Sequence, residues 1–461
     1  MGTVTHSQNV TRTSPFSQGG DVRAYDVAVI GGGASGLAAA ISSARAGART
    51  CIIERDVQAG LSILATGNGR CNVSNTRLDP RRYRHPDIVH AVFGTHPEQD
   101  IATFFESIGV LFAEEVEGRL YPITRRAESV RDTLLNACER EGVQIVTCAE
   151  LTTAAHHTER GCYELELSVP AVRLAYKRGR DAKSEVRNAR KALAAAESTV
   201  RMLTARRIVL ACGGSSEGPC RIFGLPHRTE EPVLCPIACR LELSRSAVSS
   251  REAALEHLDG LRIETMLSLV RDGATIAFEQ GEVLFRPYGI SGIAAFNMSR
   301  RILAGDVIEL DLFPHMSETD LVALLSKRKG ALGPFAGDPN WFDGLLARPL
   351  AELTTLAVRA SNQPLHDIAA LLHRLRLRVY STTEHAQAQV CRGGIPLDAI
   401  DLDTLAVGRR TDGAPLCDHT LYACGEALDM DADCGGYNLA WAWLTGMRAG
   451  TAAAQSIGAA C

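Results

Sequence analysis

The stretch VAVIGGGASG, residues 27–36, constrains this chain more than any other. A short apolar run reads as a buried strand, the glycines as a tight turn, and the small residues after them (LAAAISSARAG) as a helix. RTCIIER then supplies a second strand that closes on Glu54 and Arg55. A β-α-β unit of this length predicts a parallel Rossmann-like sheet, and so an α/β fold. Gly31, Gly33 and Gly36 fit G-x-G-x-x-G across the turn. The first allows the turn, the second admits a pyrophosphate beside the backbone, and the third lets helix and strand pack. Ala34 and Ser35 fall in the first helical turn, whose amides and dipole favour a diphosphate. The Glu54 carboxylate is placed to accept from a ribose diol.

A second G-x-G-x-x-G in a strand–turn–helix setting is not found, so the far end of the nucleotide must be held differently. CGGYNLAWAW, residues 434–443, answers this. Gly435 and Gly436 let a backbone lie against a flat ring. A helix expected to start near Tyr437–Asn438 points its positive end at the N1–C2=O edge of a reduced flavin. Upstream, Gly425 and Glu426 end a strand, where ligands of open α/β sheets gather. Gly446 and Gly450, spaced G-x-x-x-G, are expected to bring that helix close to the sheet. TGNGRCNVSN, residues 66–75, offers backbone and amide hydrogen bonds, and a charge, through Gly67, Asn68, Gly69, Arg70 and Cys71. The two glycine pairs are thus read as serving two ends of one extended cofactor, FAD.

With 461 residues, two or three domains are expected, and a net charge of −4 gives no global pull toward nucleic acid or anionic lipid. The cysteines lack any C-x-x-C pair, Cys212/Cys220 and Cys235/Cys239 are not usual zinc spacings, and His156–His157 shows no metal pattern, so no metal is predicted. Residues 1–22 are polar and read as a disordered tail rather than a signal peptide, which predicts a cytosolic protein with reduced thiols. There the sequons at Asn9 and Asn72 carry no weight. The apolar stretch 27–41 is too short to span a bilayer.

Residues 173–207 hold eleven Arg or Lys against three acids. Val186, Ala189, Leu193, Ala196, Val200 and Leu203 form a 4-3 stripe, so an amphipathic helix inserted between strands is expected. It reads first as a solvated arm, and second as a basic docking surface for RNA or a partner. Residues 97–110 and 127–142 have helical periodicity, VQIVTCAEL and CYELELSV read as strands, 231–315 is strand-rich, and 316–378 is mostly helical.

Six segments, taken in order, resemble one family: YDVAVIGGGASGLAAA, TGNGRCNVSN, EGRLYPITRRAESV, LACGG, GEVLFRPYGISGIAAFNMSR and GEALDMDADCGGYNLAWAW. They are similar to the BaiN-type (aminoacetone-oxidase-like) NAD(P)/FAD-dependent oxidoreductases, from about residue 25 to 455. The resemblance implies a discontinuous FAD-binding domain interrupted by a β-barrel domain, itself interrupted by a small helical domain. On this chain that gives 23–230 with 386–461 for FAD (173–207 being the basic helical insertion), 231–315 with 379–385 for the barrel, and 316–378 for the helices. It places FAD contacts at the glycine turn, Glu54, Arg55, the 67–71 loop, Gly213, Gly425, Glu426, Asp429, Gly436, Tyr437 and Asn438. The chain departs from the family at Ser62, where a Lys is frequent, in the short segment SSEGPCRIFGLPHR, and at Arg286.

Cys71, Tyr288 and Tyr437 are the catalytic candidates. Thr66 stands where a disulfide reductase would have a second cysteine, which argues against dithiol chemistry at Cys71. Trp441 and Trp443 are expected to pack their helix rather than stack on a ligand. The expected activity is reduction of FAD by NAD(P)H, with hydride passing from flavin N5 to an electron-poor C=C or C=N bond of a small molecule. Reduction of uridine in ribosomal RNA, amine or amino-ketone oxidation, and a flavin-binding protein without turnover are the alternatives.

Overall fold

The computed structural model describes residues 23–175, 181–243, 255–382, 388–416 and 419–458. The expected tail at 1–22, and Lys177, Arg178 and Arg180 of the basic segment, lie outside them. The chain forms two compact units, residues 1–230 with 392–461, and residues 231–391.

The first unit opens with β1 (Arg23–Ile30), α1 (Ala34–Arg45) and β2 (Thr50–Ile53). β1 and β2 pair in parallel, Val27 opposite Thr50, and Val27, Val29 and Ile52 are fully buried. Burial on both faces is why these strands read as continuous apolar runs. A small antiparallel sheet follows, of β3 (Ser74–Asn75), β4 (Phe112–Glu114) and β5 (Arg119–Pro122), with α2 (Pro86–Phe93) and α3 (Pro97–Ile108) between its first two strands. α4 (Ala127–Arg140) leads to β6 (Gln144–Val146), β7 (Glu150–His157) and β8 (Cys162–Pro170).

VQIVTCAEL is therefore two strands, not one. Cys148 takes φ +54° between them, and β6 and β7 stand at opposite ends of the hydrogen-bonded order β6-β2-β1-β9-β8-β7.

The basic segment also departs from expectation. Helix α5 covers only Ala182–Ala194, capped by the Asp181 carboxylate, which accepts from the Ser184 N–H (2.7 Å). From Ser198 the chain is strand β9 (Ser198–Leu210), with Val200 opposite Ser168 and Met202 opposite Glu166. Val200 and Leu203 kept the spacing of the helical stripe by coincidence. Thr199, Val200 and Thr204 are β-branched and suit a pleated surface, and the ladder to β8 satisfies their backbone. β9 also pairs with β1, Ala28 opposite Ile208.

After α6 (Glu217–Phe223) the chain crosses on β10 (Arg228–Val233) into the second unit. There β11 (Ile237–Leu241), β12 (Arg262–Arg271), β13 (Ala274–Arg286), β14 (Gly289–Ser291), β15 (Val307–Asp311) and β16 (Leu375–Thr382) close a barrel in the order β11-β14-β13-β12-β15-β16. Leu267, Leu269, Val283, Phe285 and Leu377 fill it, and α7 (Ile293–Ser299) packs beside them. Between β15 and β16, α8 (Glu318–Leu332), α9 (Arg348–Val358) and α10 (Pro364–His373) bury Leu321, Leu325, Phe342 and Ile368 in a core of their own. The chain returns on β17 (Val390–Gly394), adds β18 (Leu421–Ala423) beside β9, and ends its described part in α11 (Tyr437–Gly458). None of the helices among the described residues is long and apolar enough to cross a membrane.

α11 lies on α1. A Cβ on Gly446 would sit 2.4 Å from the Ser35 carbonyl oxygen, and one on Gly450 would sit 2.0 Å from that of Ala39. The G-x-x-x-G glycines themselves meet α1, at Ser35 and Ala39, while α11 also packs against β9, β1 and β18 of the sheet, the approach expected from sequence. Backbones this close exclude any side chain, and the small face of α1 was the unread partner signal.

Candidate active site

The glycine turn sits at the carboxyl end of β1. The Gly31 N–H donates to Ile53 O (2.8 Å), and its φ of +106° with the Ala211 carbonyl 2.4 Å from an added Cβ leaves room for glycine alone. α1 starts at Gly33 with no side-chain cap and no acid in its first turn, so the amides of Ala34 and Ser35 belong to a helix end prepared for an anion. A Cβ on Gly33 would meet nothing nearer than Ser62 Oγ, at 3.3 Å, and one on Gly213 would meet open space. This open, uncapped cradle fits a diphosphate. Gly36 faces inward against the Gly31 carbonyl, the packing role its spacing predicted.

Glu54 is bound into the turn. Its Oε2 accepts from the Gly32 N–H and its Oε1 from the Asp56 N–H, both at 2.7 Å. Hydrogen bonds to a carboxylate contribute about 1.5–3 kcal/mol each, so the group is oriented before any ligand arrives. Arg55 is exposed, and its Nη2 donates to Ser215 Oγ (3.0 Å), tying the end of β2 to the loop after β9.

The 66–71 loop is held by its own backbone: Cys71 N–H donates to Thr66 O (3.0 Å) and Arg70 N–H to Gly67 O (3.1 Å). Asn68 (φ +54°) and Cys71 (φ +59°) are left-handed without being glycine, so the fold imposes strain on this loop, as often happens where a ligand is gripped. Gly69 lies between them. Arg70 does not extend into the cradle. It lies 4.4 Å over the Tyr121 ring and pairs with Glu115 (3.3 Å).

Cys71 is fully buried, and burial pushes its thiol up to about 11, a hydrogen bond with Thr66 opposing only in part. A thiol held neutral is neither a nucleophile nor a ready redox centre. In the folded protein at neutral pH, Cys71 is therefore expected to resist iodoacetamide over hours while unfolding exposes it within minutes. Mass spectrometry of the labelled peptide reads this directly.

At the other end, the turn before α11 is stitched to the front of the chain. Gly436 has φ +98°, and an added Cβ would lie 2.3 Å from Ser74 O. The Asn75 amide donates to Gly435 O (3.1 Å). Asn72, in the orientation that satisfies its neighbours, accepts from the Gly436 N–H (3.0 Å) and donates to Ser74 O (2.9 Å). The Tyr83 hydroxyl donates to Tyr437 O (3.0 Å), and Trp443 Nε1 to Val73 O (3.0 Å). Asn72, Ser74, Asn75 and Tyr83 were missed by sequence reasoning because single polar and aromatic residues carry no period. The only hint was their place in and beside TGNGRCNVSN.

Gly425 nestles against the Ser35 side chain, its N–H donating to Thr445 Oγ1 (2.9 Å) and its carbonyl accepting from Trp441 Nε1 (3.1 Å). Both tryptophans are thus buried with their N–H groups on backbone, as packing residues. Glu426 is half-buried beside Gly425.

Two of the expected contact residues have other duties. Asp429 is buried, and its carboxylate takes Arg84 (2.5 Å), Arg228 (2.6 Å) and the Gly393 N–H (3.1 Å). Asn438 spends its amide inside the loop, accepting from Ala432 N–H and donating to Ala432 O, both at 2.9 Å. These two shape the acidic loop rather than reach outward. Asp431 is likewise buried against Arg392 (2.8 Å), and Asp433 against Arg82 (3.4 Å). Tyr437 is largely buried, and burial raises its phenol above the ordinary value, so Oη keeps its proton through neutral pH. Tyr288 belongs to the barrel unit, on the turn between β13 and β14, and is partly exposed. Arg286 beside it pairs with Asp259 (3.2 Å). Among the described residues no group of three or more His, Cys, Asp or Glu is placed to hold a metal.

Residues 25–452 match the HI0933-like protein Rossmann domain family. The chain is 30% identical over 455 residues to a 3-dehydro-bile acid delta(4,6)-reductase of Clostridium scindens, covering 93% of this chain and 99% of that one. It is 24% identical over 439 residues to a ribosomal RNA dihydrouridine synthase of Escherichia coli, covering 91% and 95%. A cradle for a diphosphate at one end of a helix pair and a glycine turn at the other agree with what this match requires: the chain belongs to the HI0933-like family and is an FAD-dependent oxidoreductase.

Proposed function

We propose that this protein is a cytosolic reductase that takes reducing equivalents from NAD(P)H and delivers them to an electron-poor C=C bond of a small molecule. The observation that carries it is the welding of α1 to α11 through Ser35, Ala39, Gly446 and Gly450, which fixes the diphosphate cradle and the Gly435–Gly436 turn in one rigid frame. When bound, FAD supplies the two-electron chemistry that links a reduced nicotinamide to such a bond. The amides of Ala34 and Ser35 would hold its diphosphate, and Glu54 would orient its ribose. The first turn of α11 sets a positive dipole end where negative charge builds on reduction. Tyr437, in the first turn of α11, is our candidate for the proton donor.

The Clostridium relative, named a 3-dehydro-bile acid delta(4,6)-reductase and alike over nearly its whole length, supports this substrate class.

The test is anaerobic mixing of the yellow protein with NADH and then NADPH. Bleaching within seconds by either one, and re-oxidation by an α,β-unsaturated ketone, is the expected result. A flavin bleached by neither nicotinamide but bleached by an amine would sink the reading in favour of an oxidase. Reduced protein re-oxidised by ribosomal RNA and not by enones would move the substrate to uridine.

A further inference from the structure

The basic arm has no part in the account so far; among its described residues, 182–194 is helix. From that helix Arg190 reaches back to the end of β2. Its Nε donates to both oxygens of Asp56, at 3.0 and 3.1 Å, and its Nη2 makes a further contact to Oδ2. The Asp56 N–H donates to Glu54 Oε1, and Glu54 Oε2 accepts from Gly32 in the glycine turn. Asp56 thus stands between the arm and the diphosphate cradle, its carboxylate paired with Arg190 and its backbone N–H bound to Glu54, which in turn accepts from the glycine turn.

We propose that α5 is a clamp on the adenosine end of the FAD site, with Arg190 as a positioning residue for Glu54. The proposal rests on the FAD reading above. Two further observations support it. First, α5 borders a half-open pocket of about 300 Å³ beside the end of β2, with Arg55, Cys148 and Glu150 among its lining and Leu193 and Ala194 contributed by the helix. That volume is at the lower end of small-molecule sites, and an apolar wall facing polar groups suits the edge and face of a base. Second, Asp56 needs a cation. Burial raises its carboxyl, and the hydrogen bonds and charge of Arg190 more than offset this, so the group stays ionised. Without Arg190, the Asp56 carboxylate would keep the Val57 N–H and the field of Arg55 but lose its ion pair, two residues from Glu54. Like charges so placed repel both the ligand and the residue that grips its ribose.

The arm is therefore specific to nucleotide retention. The other cations of α5, Lys183, Arg187 and Lys191, are exposed as Arg190 is, and the clamp does not use them.

The experiment uses the full chain stripped of flavin. FAD is titrated into wild type, Arg190→Ala, Arg190→Lys and the double variant Arg190→Ala/Asp56→Asn, with quenching of flavin fluorescence as readout. Melting of each apoprotein is measured in parallel. Loss of a charge-assisted pair predicts about tenfold weaker FAD binding for Arg190→Ala. The Lys variant should fall between, and the double variant should regain affinity because the uncompensated charge is gone. ADP, which carries the adenosine and diphosphate alone, should lose the same factor as FAD. Wild-type affinity in Arg190→Ala overturns the clamp while leaving the FAD reading intact. If Arg190→Ala also melts earlier, the double variant decides: recovered affinity supports the clamp, and unrecovered affinity overturns it. A wild-type chain that takes up no FAD defeats the underlying reading instead.

Discussion

Gly450→Val should strip the protein of its flavin and leave it barely folded. The Cβ would lie 2.0 Å from Ala39 O and 2.8 Å from Ala39 Cα, and both are backbone atoms of α1 that cannot turn aside. Inserting volume into a packed contact costs about 1–3 kcal/mol where side chains can yield. Here a helix must lift, so a cost of about 4 kcal/mol is expected, a large part of a typical domain's stability. Because the same contact aligns the cradle with the Gly435–Gly436 turn, flavin content should fall before the fold does. Gly458→Ala is the internal control. It sits at the last position of α11 with nothing within 4 Å of an added Cβ, and should be neutral or slightly stabilising. Urea midpoints and the 450 nm absorbance of purified protein check both. Equal flavin content in the two variants would refute the welded frame.

Asp429→Asn should destabilise by about 3 kcal/mol, in apoprotein and holoprotein alike. The carboxylate is 1% exposed and holds two guanidinium groups, of Arg84 and Arg228, and the Gly393 N–H. An amide of the same shape loses the charge and turns an N–H₂ toward a cation. Removing one partner of a buried pair commonly costs 3–5 kcal/mol, and the lower end applies because the arginines are partly solvated. If Asp429 instead touched the FAD, as the family resemblance implies, the apoprotein would be indifferent and only FAD affinity would fall. Denaturation of the two forms side by side separates these outcomes.

The parts legible from sequence are those with a period or a steric requirement. The β1–α1–β2 unit announced itself through an apolar run and a glycine turn, and the start of α11 through Gly435–Gly436. Glu54 was legible by its place at the end of a strand. What escaped was pairing at a distance. The ion pairs of Asp429, Asp431 and Asp433 were not legible because their partners, Arg84, Arg228, Arg392 and Arg82, are scattered through the chain. Asn438, assigned to the flavin, turned out to staple its own loop. The helix read through Val200 and Leu203 failed because spacing alone cannot tell a continuing stripe from a strand that resumes in step.

The stitching of Trp443 to Val73 spans 370 residues, and that of Asn75 to Gly435 spans 360. On the ribosome, then, the opening β-α-β unit emerges without the helix that completes it and must wait through the synthesis of the entire barrel. Contacts of such separation form late and slowly. Pigment should accordingly be absent from nascent chains stalled anywhere before α11 has cleared the exit tunnel, and should be acquired only afterwards, in a single step.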